Sequence, residues 1–241
     1  VNEGTEKGND LMKELTTACT LLLLSIVIGA CGGASDTADE TPTQETGESA
    51  TSSGSHMGLV NPNLASEQEL LALKGMSEGA VSAITDARPF FDMVSLDNTL
   101  DRLLEAEMRA TLYEHVWIPL NLNTASEEEM LLIPGVGDRM THEFDEYRPY
   151  DGMERFRREI GKYVDTNELE RLAQYVFVPV ELNTTSDEEI LRIPGVGDRM
   201  LHEFKEYRPY TSMEQFKREI GKYVDDSELA RLSRYVTLAE N

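Results

Sequence analysis

Apolar positions along this chain fall into three regimes. A continuous apolar run extends from Leu21 to Ala30, and from about Gly32 to Gly58 large apolar residues are almost missing. Beyond Val60 they return at helical spacing, in short stretches punctuated by Gly and Pro. Met140, Phe144 and Tyr147 stand at i, i+4 and i+7, which predicts the buried face of one helix. Met153, Phe156, Ile160 and Tyr163 predict the face of the next, and Leu169 with Leu172 that of another, starting at Asp165 with Glu168 completing its cap. Upstream, Ser126 and Glu129 have the spacing of a capping box: the hydroxyl accepts the N3 amide while the carboxylate reaches back, so a short helix starts there. Ser66 with Glu69 and Ser186 with Glu189 repeat the device. Arg148–Pro149 ends a helix, because the residue before a proline is pushed out of the helical region.

The pattern is periodic. A shift of about sixty residues superposes Leu122–Val176 on Leu182–Val236 without a gap, with about forty of roughly fifty-five positions identical. The same shift relates Asn123 to Asn63, Gly135 to Gly75, Arg148-Pro149-Tyr150 to Arg88-Pro89-Phe90 and Val176 to Val116, which marks a more diverged first copy. The expected fold is all-α: three tandem repeats of about sixty residues, spanning 59–120, 121–180 and 181–241, each with four short helices packed as two antiparallel pairs. The extended Phe177-Val178-Pro179-Val180 reads as a connector, and no sheet is expected.

The two polar-to-apolar transitions near the N-terminus carry an address. Met12-Lys13 precedes the apolar run, which is too short to span a bilayer and ends in Ile28-Gly29-Ala30-Cys31-Gly32-Gly33. Ile28-Gly29-Ala30-Cys31 resembles the lipobox of bacterial lipoproteins. That resemblance implies a signal peptide over 1–30, with 1–11 as an upstream extension before the Met12 start, then cleavage before Cys31, its lipidation, and an extracytoplasmic, lipid-anchored place in the cell envelope, periplasmic or surface. Residues 31–58 are too poor in apolar surface to fold and read as a disordered tether, in which Gly54-Ser55-His56-Met57 has the look of an expression-tag scar. The only cysteines are Cys19 and Cys31, so no disulfide staples the repeats.

The candidate chemistry lies between the first two helices of each copy, at Ile133-Pro134-Gly135-Val136-Gly137 and Ile193-Pro194-Gly195-Val196-Gly197. Glycines there let the backbone turn tightly and leave amides unpaired at a helix start, where the partial positive charge favours an anion such as phosphate. Helix, then apolar-x-Gly-apolar-Gly, then helix is the helix-hairpin-helix signature. With Leu122-Asn123-Thr124-Ala125-Ser126 before it, the stretch from Leu122 to Tyr150 resembles the DNA-binding domain of the competence receptor ComEA. The resemblance implies helix-hairpin-helix repeats that hold duplex DNA without reading bases, through the amides of Gly135, Val136 and Gly137 and of Gly195, Val196 and Gly197. Arg139 and Arg199 follow the hairpins, and a basic cluster of Arg155, Arg157, Arg158 and Lys162 is echoed by Lys217, Arg218 and Lys222; all of these but Arg155 complete the candidate DNA-binding set.

Composition pulls the other way. With 45 acidic against 22 basic residues the net charge is -23, which repels a polyanion, although screening over about 8 Å lets a local basic patch act. Asp138 and Asp198 stand just past the hairpins, where a carboxylate competes for the same amides. The first copy has Ser77 and Glu78 in place of the second glycine and its successor, so it is expected to be structural. The third-helix cations read equally well as a solvated face paired with Glu154 and Glu159. Asp138, His142 and Glu146, and Asp198, His202 and Glu206, have a spacing that could ligate a metal but is far more often a solvated helix face, so no metal or cofactor is expected. No nucleophile–base pair with an orienting group stands out, so no enzyme is expected. Two function classes remain: sequence-independent binding of double-stranded DNA, as in uptake or retention, and a protein-interaction or scaffold module contacting an envelope protein.

Overall fold

The computed structural model describes Ser55–His56 and residues 58–239. The leader, Cys31 and the tether up to residue 54, with Gly54 and Met57 of the tag-like string, lie outside the described residues. The described residues belong to one compact unit. Its described part holds twelve helices and six two-residue strands. The first four helices are α1 (Glu67–Leu71), α2 (Glu78–Ala87), α3 (Met93–Leu100) and α4 (Ala106–Leu112). The middle four are α5 (Glu127–Leu131), α6 (Asp138–Glu146), α7 (Met153–Ile160) and α8 (Thr166–Ala173). The last four are α9 (Asp187–Leu191), α10 (Asp198–Glu206), α11 (Met213–Ile220) and α12 (Asp226–Ser233). None of the described helices is long and apolar enough to cross a membrane.

Helix starts follow the sequence closely because a cap is a local contact. Ser66, Ser126 and Ser186 each make a full capping box with the glutamate three residues on. Asp165 caps α8 through the Glu168 amide, while the Glu168 carboxylate turns to Arg171 instead of closing a box. Phe144 and Phe156 are fully buried and meet edge-on at 5.7 Å, as Phe204 and Phe216 do at 5.2 Å. Tyr163 departs from its expected buried face. The helix ends at Ile160, so Tyr163 lies in the following turn, exposed, with its hydroxyl 2.7 Å from that of Tyr147.

The fold is mainly helical, as expected of its class, but short ladders correct the expectation of no sheet. Leu120–Asn121 (β3) pairs in parallel with Val176–Phe177 (β4), and Val180–Glu181 (β5) with Val236–Thr237 (β6). Val60 makes the corresponding single bridge to Val116, and Ser55–His56 (β1) pairs antiparallel with Leu59–Val60 (β2). The physical reason is that the chain enters and leaves each sixty-residue stretch side by side, and extended backbone needs partners for its amides and carbonyls. The Leu120 and Leu122 amides donate to the Tyr175 and Phe177 carbonyls, both at 2.9 Å. The supposed connector is therefore part of two ladders.

Another contact holds each stretch together. The Asn123 side chain donates to the Tyr150 carbonyl at 2.9 Å and accepts the Tyr150 amide at 2.6 Å, clamping the opening turn to the residue after Pro149. Asn63 does the same with Phe90 and Asn183 with Tyr210. Arg148 sends its guanidinium to the carbonyls of Leu122 and Ala125. Asn123→Ala leaves two part-buried backbone groups unpaired, so a loss of about 2 kcal/mol of stability is expected, read as a lowered midpoint in urea. Asn123→Asp keeps the acceptor for the Tyr150 amide and should lose less.

Burial is less periodic than sequence. Residues 59–178 share one continuous core, while 182–236 form a second. Trp117 joins the first and middle stretches: it is 1% exposed, meets Tyr113 and Tyr175 edge-on, and donates its indole N–H to the Tyr175 carbonyl at 2.8 Å. Sixty residues on, Phe177 meets Tyr235 at 4.4 Å, and after another sixty the position is Thr237. The aromatic link stops where the stretches stop.

Candidate nucleic-acid interface

The hairpin between α5 and α6 closes with the Val136 amide on the Ile133 carbonyl at 3.0 Å, and that between α9 and α10 with Val196 on Ile193 at 3.0 Å. Gly135 and Gly195 have φ of 79° and 81°, the left-handed region that glycine alone enters without strain. Gly137 and Gly197 do not share that need. Both are extended N-caps, with φ of -128° and -112°, and a β-carbon on either would meet nothing within 4 Å. The second glycine thus serves openness rather than the turn, which refines the expectation that both shape it.

That openness leaves donors. No side chain caps α6 or α10. Among the described residues, the amides of Gly135, Gly137, Asp138 and Arg139 have no hydrogen-bond acceptor, nor do those of Gly195, Gly197, Asp198 and Arg199. Asp138 and Asp198 are exposed, and neither carboxylate bonds these amides among the described residues. The first stretch differs: the Ser77 hydroxyl accepts the Ala80 amide at 3.2 Å and so fills the equivalent helix start.

The cations divide into two groups. Arg139, Arg199 and Lys217 are exposed and have no ion pair among the described residues. The rest of the third-helix cluster, Arg155 apart, is engaged. Arg157 pairs with Glu170 at 3.1 Å and Glu154 at 3.6 Å, and Arg158 with Glu159 at 3.0 Å. Lys162 also pairs with Glu159, and Arg218 and Lys222 share Glu219 in the same way. Lys162, with Arg158 beside it, holds the Glu159 carboxyl below the usual carboxylate range, and Lys222 with Arg218 does so for Glu219. The cations of the Glu159 and Glu219 pairs are themselves more than half exposed, so a phosphate can compete for them.

Two cations escaped the sequence reading. Arg171 of α8 lies against the hairpin, its Nη2 3.4 Å from where a β-carbon on Gly135 would stand. Arg231 of α12 stands in the same relation to Gly195, at 2.9 Å. Each is gripped by the glutamate three residues earlier: Glu168 binds Arg171 at 2.7 and 2.6 Å, and Glu228 binds Arg231 at 2.6 Å through both nitrogens. The Arg171 guanidinium holds the Glu168 carboxyl low in turn. The recurrence of Glu-x-x-Arg sixty residues apart was visible, but its approach to the hairpin was not. The first stretch has Thr111 at this place, and its Gly75 faces the Met108 methyl instead.

His142 and His202 approach Glu146 and Glu206 at 3.7 and 3.6 Å. Among the described residues no three His, Cys, Asp or Glu side chains stand close enough to hold a metal ion. A cleft of about 480 Å3 lies where the middle and last stretches meet, between the Arg157–Glu170 pair and Arg192, over Val178 and Ile193, and it mixes both signs of charge. Comparison of the chain with protein-family profiles, curated proteins and solved structures finds no match.

Proposed function

We propose that residues 59–239 are three tandem helix-hairpin-helix repeats, the first degenerate. The second and third have hairpins suited to the sugar–phosphate backbone of duplex DNA irrespective of sequence, on a lipoprotein anchored in the cell envelope through Cys31. The observation that carries this reading is the bare helix start: exposed Gly137 and Gly197 leave α6 and α10 uncapped, with amides that have no acceptor among the described residues and an arginine two residues on that has no ion pair among them. An anion with several acceptor oxygens suits such a start, and backbone contacts of this kind carry no base information. The chemistry proposed is binding, with no catalytic step, and DNA uptake or retention is the process it would serve.

The test is a titration of fluorescent duplexes of unrelated sequence across a salt series. Equal, weak affinities are expected, falling with salt by a log–log slope of about 0.9 per phosphate contacted. Weakness follows from the net charge of -23. No binding even at low salt would favour a second reading, a protein-interaction scaffold. Leu71, Leu131 and Leu191 support that alternative: each is 40–42% exposed at the same place beside its hairpin, an apolar surface suited to a protein partner.

A further inference from the structure

The two intact hairpins are close in sequence and unequal in space. Beside Gly135, Arg171 alone among the described residues lies within 4 Å of where a β-carbon on the glycine would stand. Beside Gly195, the Leu64 methyl carbons come within 3.2 and 3.3 Å as well, so the first repeat packs against the hairpin of the third. Leu64 is carried there by an opening turn that is itself sunk into the protein, with Asn61 only 2% exposed and the Leu64 amide on the Asn61 carbonyl at 3.0 Å. The other repeats have Thr124 and Thr184 in place of Leu64.

The cations register the difference. The Arg171 side chain is 33% exposed and that of Arg231 only 3%. Glu228 satisfies two nitrogens of Arg231, but Nη1 is buried with no hydrogen-bond partner. A buried, unpaired N–H on a charged group is costly, and an anionic oxygen is the partner that best relieves it. We propose that the third hairpin is a latent phosphate site. The Gly195 turn and the Arg231 guanidinium take a phosphodiester oxygen only once the Leu64 side chain has left, whereas the Gly135 turn and Arg171 stand open. This rests on the reading of the hairpins as phosphate sites. It makes the first repeat a cover for the third as well as a structural unit.

Two experiments on the protein test it. Arginine-selective modification with a dicarbonyl reagent, read by mass spectrometry, needs no DNA. Arg171 should react readily and Arg231 should be protected, and Leu64→Thr, which installs the residue of the other repeats, should expose Arg231. Equal reactivity in the unmodified chain would overturn the closure whatever the protein binds. In duplex titration, Arg171→Gln should cost about tenfold in affinity and Arg231→Gln almost nothing, while in the Leu64→Thr background Arg231→Gln should also cost about tenfold. Leu64→Thr alone should steepen the log–log salt slope by about 0.9. An Arg231→Gln loss equal to that of Arg171→Gln without Leu64→Thr, or no change of slope on Leu64→Thr, would overturn the latent site. If nothing binds duplex in any variant while Arg231 is still protected, the phosphate role falls and only the cover of Leu64 stands.

Discussion

Trp117→Ala is expected to lower the free energy of unfolding by about 4 kcal/mol, the range of an aromatic truncation in a closed core. The indole is fully enclosed between Tyr113 and Tyr175 and belongs to the core shared by the first two sixty-residue stretches. The lost hydrogen bond adds little, because the Tyr175 carbonyl also accepts the Leu120 amide and is not left unpaired. Trp117→Phe should therefore cost far less than Trp117→Ala. Urea denaturation followed by circular dichroism checks both, and the Ala variant should also broaden the transition, since the two stretches would no longer melt together. A small, sharp shift would mean that the junction is not where the stretches are coupled.

Gly137→Asp combined with Gly197→Asp is expected to lower duplex affinity by about tenfold or more, one charge-assisted contact being worth at least a factor of ten. Gly137→Asp should carry most of the loss if Arg231 stays covered by Leu64. The geometry makes this a clean substitution. Both glycines are extended, a β-carbon on either meets nothing within 4 Å among the described residues, and aspartate is a better N-cap than glycine by a few tenths of a kcal/mol. The carboxylate would accept the very amides a phosphate needs, so binding should fall while the melting temperature holds or rises slightly. Anisotropy titration and thermal melting on the same samples separate the outcomes. Unchanged affinity places the anion elsewhere. Gly135→Ala is the opposite control, since its φ of 79° strains any β-carbon and the fold itself should weaken.

What was legible in the residues was whatever is decided within a few positions. The serine capping boxes, the aspartate cap of α8, the Phe144 and Phe156 faces and the hairpin turns follow from i to i+4 contacts, which sequence spacing states directly. The basic cluster was legible only as composition. Whether Arg157 meets Glu170 or solvent depends on a carboxylate thirteen residues away, while Lys217, its counterpart, has no such pair among the described residues. The Gly-Val-Gly pattern likewise named two special glycines without separating their tasks, because only the backbone angles show that Gly135 makes the turn and Gly137 keeps the helix start bare.

By itself the sequence determined the helices, their caps, the sixty-residue recurrence and the hairpins, because each is a local preference that any tertiary setting must respect. Tertiary structure alone decided the rest. The Asn123–Tyr150 clamp spans 27 residues, and the ladder of Leu120 with Val176 joins backbone groups that have no sequence code. The shared core around Trp117 and the placing of Arg171 against Gly135 depend on how separate helices dock. The packing of Leu64 against Gly195 does so most of all, for it gives unequal surroundings to two hairpins whose five residues are identical. Local preference cannot tell such copies apart; only the neighbours that packing brings from distant parts of the chain can.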